Sequence, residues 1–397
     1  MKLAVVIPGF QADQTDWCIP AFTNLARQLS LRNEVHVYAL RYPHRRADYS
    51  IGTVRVHALG GGQILGRRIL GIRLGKLWSD TLRSISVEHG VAPFDAVVGV
   101  WATESGWLAT QVGKTLGVPS LVHLAGGELV YLPSIRYGYL GRGLDGVLLN
   151  HTLALADRLT APSRQMLNLL MSEFPGTEQK AVRWPLGVDT TLFKVPNRPR
   201  RKESNSFTFV CVGSLIPVKY QAWVIRSLAD LRRRRPDINA SLTLVGDGPL
   251  LPHLKRLAGQ SHLRGYVTFR GSVRHDELVW EYARASAFVL GSWHEAQCMA
   301  ALEAMSCGLR WIGPPVGALA DIAADAEPSG ARSGVLVAER SIYTLSRAME
   351  LLASLPEREH ETWSANAAAT VRRNYDLSTQ TARLEGLLAR LTQLYRG

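Results

Sequence analysis

Residues 291–317 read GSWHEAQCMAALEAMSCGLRWIGPPVG, and this stretch decides the predicted fold. An apolar strand ends just before it, a short turn follows, and a helix begins near Cys298. The N-terminus of a helix presents free N–H groups and partial positive charge, which bind phosphate well. The stretch therefore predicts that a diphosphate rests on the amides of Met299 and Ala300.

Two carboxylates flank this helix N-terminus. Glu295 lies in the turn, and Glu303 lies in the second turn of the helix. Both are suited to accepting hydrogen bonds from sugar hydroxyls. An ordinary amphipathic helix with an acidic N-terminus, favoured by the helix dipole, explains the same pattern about equally well.

Two upstream segments bear on this choice. Residues 212–219 (VGSLIPVK) contain Gly213, which lets the backbone approach a ligand, and Lys219, which can place a charge on a phosphate. They favour the binding interpretation. Residues 244–249 (LVGDGP) form another strand end and turn, for which a plain strand–turn–helix link is the simpler interpretation.

Short apolar strands alternate with helical patterns in both halves of the 397-residue chain. This alternation predicts an α/β fold with parallel sheets covered on both faces. A polar, proline-bearing stretch between the halves is typical of a linker. We predict an N-terminal lobe at 1–193, a linker at 194–206, a C-terminal lobe at 207–377 and a final helix at 378–397.

Composition restricts the class of protein. Apolar residues make up 46% of the chain, which supports real hydrophobic cores. The four cysteines show no CxxC spacing, which favours a reducing compartment, and no apolar stretch is long enough to span a membrane. We therefore predict a cytoplasmic protein. A net charge of +13 indicates either an anionic partner or excess surface arginine.

The motifs together resemble a known family. VGSLIPVK, LVGDGP, VTFRGSV (267–273) and the Glu295-x7-Glu303 spacing, followed by EAMSCG (303–308), stand in the order found in the retaining GT-B glycosyltransferases of family 4. LGVDTTLF (186–193) is similar to the segment before their linker. The resemblance implies two Rossmann-like lobes that face each other across a cleft, with the last helix packed back on the N-terminal lobe. It also implies transfer of a sugar from a nucleotide-diphosphate sugar to a glycan or lipid-linked acceptor.

The same resemblance assigns roles to single residues. Lys219 is expected to bind the donor diphosphate, Glu295 to face the donor sugar and Glu303 to hold the ribose hydroxyls, so that Lys219 and Glu295 are the catalytic candidates in this lobe. Other donor contacts are expected at Gly213, Ser214, Val273, Ala296, Gln297, Cys298, Met299 and Ala300, and at Gly9 and Phe10 of the N-terminal lobe.

The chain departs from the family pattern at several positions. Ser214 stands where an arginine is common, and 296–298 (AQC) replace a Gly-Phe-Gly stretch. Ala125 stands where many relatives carry a cleft histidine. His123, on the same strand face, is the candidate catalytic replacement, with a buried core histidine as the alternative. Trp17, Glu128 and Tyr137 are predicted to lie on the acceptor side.

The remaining predictions concern cofactors, partners and competing functions. The sequence has no Asp-x-Asp triplet, so neither a metal nor another cofactor is expected, and no nucleic acid is expected as a partner. Residues 63–85 mix apolar and basic side chains, which predicts either contact with an anionic membrane surface or a lobe helix with a basic outer face. A nucleotide-sugar epimerase or hydrolase of the same fold and a non-catalytic binding protein are the alternative functions.

Overall fold

The computed structural model describes residues 1–62, 70–141, 143–195, 206–326 and 330–396. The chain divides into two compact units, of which the first contains Met1–Gly187 and Leu377–Gly397 and the second contains Val188–Asp376. Most of the predicted linker, residues 196–205, lies outside the described residues, as does the first part of the predicted basic segment, residues 63–69. No helix in the described ranges is long and apolar enough to cross a membrane.

The first unit is built on an eight-stranded sheet with the order β10-β9-β6-β5-β1-β2-β4-β3. A separate hairpin of β7 and β8 follows β6. The strands are β1 (Lys2–Gly9), β2 (Glu34–Tyr42), β3 (Arg46–Ile51), β4 (Val54–Leu59), β5 (Ala96–Val100), β6 (Ser120–His123), β7 (Tyr131–Leu132), β8 (Tyr137–Gly138), β9 (Arg158–Ala161) and β10 (Ala181–Arg183).

One edge of this sheet corrects the prediction of purely parallel strands. β3 runs antiparallel to β4, whereas the other neighbouring strands of the sheet run parallel. Only Gly52 and Thr53 separate the two strands, and Gly52 has a φ of 60°. A connection this short produces a hairpin, because a parallel pair needs a long crossover.

Six α-helices in the described residues belong to the first unit, and the last of them comes from the C-terminal segment. The final helix is tied to this unit by hydrogen bonds from Asn33 Nδ2 to Glu385 Oε1 (2.7 Å) and from Trp184 Nε1 to the Gln380 carbonyl (2.9 Å). The helices are α1 (Pro20–Leu29), α2 (Leu70–Val91), α3 (Glu104–Leu116), α4 (Gly143–Leu155), α5 (Arg164–Glu173) and α13 (Leu377–Arg396).

The second unit is a six-stranded parallel sheet with the order β13-β12-β11-β14-β15-β16. This is the doubly wound Rossmann order, and the two-domain α/β prediction is confirmed. The strands are β11 (Ser206–Val212), β12 (Asn239–Val245), β13 (Val267–Gly271), β14 (Ala287–Val289), β15 (Arg310–Gly313) and β16 (Gly334–Leu336). The helices are α6 (Gln221–Arg234), α7 (Leu251–Gln260), α8 (Leu278–Arg284), α9 (Met299–Ser306), α10 (Ala318–Ala326), α11 (Ile342–Ala353) and α12 (Glu357–Asn374).

The boundary between the units lies earlier than the predicted end of the first lobe at Phe193. The N–H of Val188 donates to the Tyr375 carbonyl at 2.7 Å, within the second unit. Phe193 is fully buried in the core of that unit, with its ring 6.0 Å from the ring of Tyr282. Residues 188–193 therefore belong to the second unit, because their apolar side chains complete its core.

Candidate functional site

The strand order of the second sheet reverses between β11 and β14. In open α/β sheets, ligands bind outside the carboxyl ends of the strands at such a point. Gly213 follows the end of β11, and the turn at 291–295 follows the end of β14. Two of the segments with predicted donor contacts therefore leave neighbouring strands at the position where this fold favours a ligand.

The loop after β11 is shaped by close packing of backbone on backbone. Gly213 adopts a φ of 147°, and its N–H donates to the Val245 carbonyl at 3.0 Å. A Cβ atom on Gly246 would collide with the Gly213 carbonyl, so only glycine fits there. The turn at 244–249, for which a plain link was the simpler interpretation, thus supports the loop that leads to Lys219.

The central contact of the site joins Lys219 to Glu295. Lys219 Nζ donates to Glu295 Oε1 at 2.6 Å, and the Ser292 hydroxyl donates to the same oxygen at 2.5 Å. Burial opposes the charged ammonium, but the Glu295 carboxylate outweighs this effect and holds the pKa of Lys219 above its ordinary value. The Lys219 side chain keeps 27% of its surface exposed, and its ammonium is held in the charged form.

The turn that carries Glu295 is fixed by groups that the sequence motifs did not indicate. The N–H of Trp293 donates to the Val218 carbonyl at 2.7 Å, and the Trp293 indole stacks on Tyr220 with ring centroids 5.0 Å apart. Arg340 donates to the Ser292 carbonyl at 2.8 Å and to the Trp293 carbonyl at 3.1 Å. Arg340 lies 47 residues beyond Trp293 in the sequence, so no local pattern could have identified it.

The N-terminus of α9 offers unused donors. Cys298 precedes the helix in a left-handed conformation with a φ of 75°, and its side chain does not cap the helix. Within the described residues, the N–H groups of Met299 and Ala300 donate no hydrogen bond to the protein. These are the two amides that the sequence assigned to a phosphate.

The residues that replace Gly-Phe-Gly are part of the protein interior. The exposed fractions of Ala296, Gln297 and Cys298 are 7%, 4% and 5%. The Gln297 carbonyl accepts from the N–H of Ala318 at 2.9 Å, and burial raises the pKa of the Cys298 thiol well above its usual range. Cys298 belongs to the hydrophobic core of the second unit, and the donor contacts predicted for these three residues stay predictions.

Glu303 is held by two side chains that the sequence did not single out. His275 Nε2 lies 2.8 Å from Glu303 Oε1, and the Tyr282 hydroxyl donates to Oε2 at 3.1 Å. The same hydroxyl lies 3.2 Å from the Ala300 carbonyl in the first turn of α9. The ring of Phe193 packs edge-on against His275 at 5.1 Å. Glu303 is therefore fixed in orientation, while its carboxylate keeps unused lone pairs.

Two other predicted donor contacts lie on loops of the second unit. Ser214 is exposed, and its carbonyl accepts from Gln221 Nε2 at 3.0 Å. Val273 follows β13 and is partly buried against the core of the unit. Their contacts with a donor remain predictions.

In the first unit, the predicted phosphate loop begins where β1 ends, at Gly9. The N–H of Phe10 donates to the Tyr42 carbonyl at 3.0 Å, and the Phe10 side chain is buried. This corrects the prediction for Phe10, because its amide and its ring are both used within the protein. The following loop is organised by Asp16 and leaves Trp17 42% exposed, as an acceptor contact requires.

The catalytic role predicted for His123 is not supported by its position. His123 is 1% exposed, and its Nδ1 lies 2.9 Å from the Thr160 hydroxyl. The rings of Phe22 and Trp184 pack edge-on against it at 5.9 and 5.0 Å. Burial lowers the pKa of His123 to about 3, so the imidazole is neutral at physiological pH. His123 is a core residue and does not take over the role of the histidine missing at Ala125.

Glu128 is also withdrawn from the predicted acceptor side. Its carboxylate is fully buried and accepts from the N–H groups of Ala125 at 2.9 Å and Gly126 at 2.6 Å. Burial raises the pKa of Glu128, although these backbone donors oppose the shift. The carboxylate therefore shapes the 125–128 turn from inside. Tyr137 packs against the same turn, where a Cβ atom on Gly127 would lie 2.8 Å from the Tyr137 ring.

One cluster in the described residues has the composition of a metal site, and it lies in the first unit. Glu34, His36 and Glu88 bring their ligand atoms within 4.8 Å of one another. Lys2 Nζ lies 2.7 Å from Glu88, and an Arg55 nitrogen lies 3.3 Å from Glu34. Two cations already neutralise the carboxylates, so the cluster is an ion-pair network and does not test whether the donor needs a metal.

Comparison with protein families gives two adjoining matches. Residues 21–192 match the model "Glycosyltransferase Family 4", and residues 196–370 match the model "Glycosyl transferases group 1". Together they cover most of both units. The chain belongs to the GT-B glycosyltransferases of family 4, group 1, and the family inferred from the motifs is confirmed. The retaining mechanism stays a prediction.

Curated relatives and solved structures agree with this assignment. One relative is a GDP-mannose-dependent alpha-(1-6)-phosphatidylinositol monomannoside mannosyltransferase of Mycolicibacterium smegmatis. The two proteins are 29% identical over 256 residues, and the aligned region covers 61% of this chain and 63% of the relative. A second relative is D-inositol 3-phosphate glycosyltransferase 2 of Catenulispora acidiphila, which is 28% identical over 298 residues. This aligned region covers 66% of this chain and 67% of the relative.

Sucrose-phosphate synthase of Thermosynechococcus elongatus shares the fold with a TM-score of 0.75, 17% identity and 99% coverage of both chains. HepE of Anabaena, solved with UDP and glucose, gives a TM-score of 0.73, 17% identity and coverage of 98% and 99%.

Proposed function

We propose that this chain is a retaining, metal-independent glycosyltransferase that transfers a sugar from a nucleotide-diphosphate sugar. The observation that carries the proposal is the charged ammonium of Lys219, which Glu295 fixes at the switch point of the second sheet. The unused amides of Met299 and Ala300 supply further donors at the start of α9. Ammonium and amide donors together suit a diphosphate.

The chemistry follows from where charge develops. As the sugar leaves, negative charge grows on the diphosphate, and preorganised donors stabilise it most strongly in the transition state. Lys219 and the α9 amides are these donors. Glu295 accepts hydrogen bonds from hydroxyls of the transferred sugar, and Glu303, held by His275 and Tyr282, accepts them from the ribose.

The names of the relatives point to a class of acceptor. The relative from Mycolicibacterium smegmatis is named for a phosphatidylinositol monomannoside, and the relative from Catenulispora acidiphila is named for inositol 3-phosphate. A relative from Arabidopsis thaliana, 26% identical over 259 residues, is named a phosphatidylinositol N-acetylglucosaminyltransferase subunit. We propose an acceptor that carries an inositol phosphate, either soluble or linked to lipid.

A lipid-linked acceptor agrees with peripheral binding to the cytoplasmic face of a membrane. The described part of the predicted basic segment lies in α2, where Lys76 and Arg83 are exposed. Their charges would add to the attraction for an anionic surface, which salt screens. Co-sedimentation with phosphatidylglycerol vesicles at low and high salt tests this part. Equal recovery of wild type and Lys76→Ser/Arg83→Ser in the pellet at low salt would argue against a role for α2.

A donor screen followed by product analysis tests the proposed activity. A nucleoside diphosphate that binds should raise the apparent melting temperature by mass action. The matching nucleotide sugar should then be consumed only when an inositol phosphate or phosphatidylinositol is added. Consumption without acceptor would instead favour the epimerase or hydrolase, and absence of binding to every nucleotide would favour the non-catalytic protein.

A further inference from the structure

A large cavity of 840 Å³ lies in the first unit, beside α13. Four arginines line it: Arg32 just after α1, Arg183 at the end of β10, and Arg383 and Arg390 on α13. The only carboxylate among its lining residues is that of Glu385. The cavity is therefore strongly basic.

The face of α13 that lines the cavity is set by helical spacing. Thr379, Arg383, Gly386 and Arg390 follow one another at intervals of four, three and four residues, so they lie on one side of the helix. Gly386 has no side chain, and a Cβ atom there would lie 4.0 Å from a terminal nitrogen of Arg390. The guanidinium of Arg390 thus extends back toward Gly386. Because Gly386 has no side chain, the surface of the helix at this point stays open.

Among the described residues, no carboxylate pairs with Arg383 or Arg390. Glu385 already accepts from Asn33 at 2.7 Å and lies 3.5 Å from Arg32. Arg383 and Arg390 make no hydrogen bond or ion pair with any group in the part of the chain that the structure describes.

The arginine run at 232–235 shows the opposite situation. Arg233 and Arg234 pair with Asp230 at 2.7 Å, and Arg235 pairs with Asp237 and Glu350. Three of the four arginines in that run are therefore paired with neighbouring carboxylates. The cavity beside α13 is therefore the better candidate for the anionic partner that the net charge of +13 indicates.

We propose that this cavity is a second anion site, which binds the phosphate group of a small molecule or of a lipid headgroup through Arg383 and Arg390. A planar guanidinium group can donate two parallel hydrogen bonds to two oxygens of a phosphate. Two guanidinium groups can therefore bind one phosphate from different directions. The cavity has the volume of an ordinary small-ligand site. The cavity opens to solvent and Arg383 and Arg390 are exposed, so a phosphate can reach both guanidinium groups.

Calorimetry with inorganic pyrophosphate at low salt tests the site independently of the donor site. The wild type should bind two equivalents, and Arg383→Ala/Arg390→Ala should bind one, with affinity at the lost site reduced about tenfold or more. Lys219→Ala should keep the cavity site and lose the donor site. The control Arg372→Ala/Arg373→Ala removes two charges from exposed positions on α12 and should still bind two.

The outcomes separate the two proposals. If the Arg383/Arg390 variant is folded and still binds two equivalents, or if the α12 control loses a site as well, the cavity proposal fails. If Lys219→Ala still binds two equivalents while Arg383→Ala/Arg390→Ala binds one, the donor assignment fails and the cavity proposal stands.

Vesicles distinguish the source of the phosphate. Wild type should bind phosphatidylcholine vesicles doped with phosphatidylinositol if the ligand is a lipid headgroup. In that case the Arg383/Arg390 variant should lose this binding, and pyrophosphate should compete with the vesicles for the wild type. Pyrophosphate binding without vesicle binding would support a soluble phosphate.

Discussion

Lys219 Nζ and Glu295 Oε1 lie 2.6 Å apart although 76 residues separate them in the sequence. The contact joins the loop after β11 to the turn after β14, and the Ser292 hydroxyl fixes the carboxylate from the other side. A phosphate that approaches this pair meets an ammonium that is already oriented and charged. The predictions below start from this arrangement.

Replacing Lys219 with alanine should lower kcat and raise the donor KM. The ammonium favours the leaving diphosphate more than the bound donor, so its loss affects both constants. Loss of a charged hydrogen-bond partner costs about 1.5–3 kcal/mol, which corresponds to roughly a ten- to hundredfold loss in kcat/KM. Steady-state kinetics with Lys255→Ala, an exposed lysine on α7, as the control should show the effect only at Lys219. Unchanged donor kinetics in a folded Lys219→Ala enzyme would contradict the assignment.

Glu303→Ala should raise the donor KM by roughly ten- to hundredfold and lower kcat much less. The reason is that a ribose contact is similar in the ground state and in the transition state. Tyr282→Phe removes one hydrogen bond that orients Glu303 and should raise KM roughly two- to tenfold.

A double-mutant cycle checks that Tyr282 acts through Glu303. In the Glu303→Ala background, the further change Tyr282→Phe should have little effect on KM. Tyr343→Phe, at an exposed tyrosine on α11, is the matched control. Additive effects of Tyr282→Phe and Glu303→Ala would mean that the tyrosine has a separate role.

Donor turnover should survive EDTA. The sequence contains no Asp-x-Asp triplet, and Lys219 and the α9 amides supply the positive charge that a metal would otherwise bring. Rates measured after exhaustive chelation should match those with added magnesium or manganese. Activity that disappears in the chelator and returns with a divalent cation would refute this mechanism.

Burial of His123 should make the protein less stable in acid. Its pKa falls from 6.5 to about 3 on folding, so the unfolded chain binds the proton first as the pH drops. The contribution to stability is complete above pH 6.5 and is lost between pH 6.5 and about 3, at about 1.4 kcal/mol per pH unit. Urea unfolding of His123→Asn should show a shallower loss in this range.

His262→Asn is the control for this comparison, because His262 is exposed and asparagine tolerates its left-handed backbone with a φ of 55°. Its acid dependence should match that of the wild type. If His123→Asn and the wild type lose stability with the same slope, the histidine is not buried in neutral form.

Local sequence patterns predicted much of this fold. Apolar runs located most of the strands, because a buried parallel strand is apolar along its whole length. Glycines and the spacing of Glu295 and Glu303 located the turns and the helix start at the carboxyl ends of those strands. β3 has no continuous apolar run, because it lies at a sheet edge where exposed polar residues alternate with partly buried ones.

Partnerships between distant residues required the tertiary structure. Glu303 was found from its spacing, but His275 and Tyr282 reach it only because α8 and the turn before it pack beside α9. His123 and Glu128 have polar side chains near a strand end, as catalytic residues do, and only their burial shows that they serve the core.

The cavity beside α13 arises in the same way, because residues from the two ends of the first unit's sequence enclose it. The sequence by itself thus determined the elements and their ligand-binding ends, since these depend on local periodicity and backbone freedom. The tertiary structure decided which polar groups are exposed, paired or unpaired, because burial and charge neutralisation depend on neighbours that are distant along the chain.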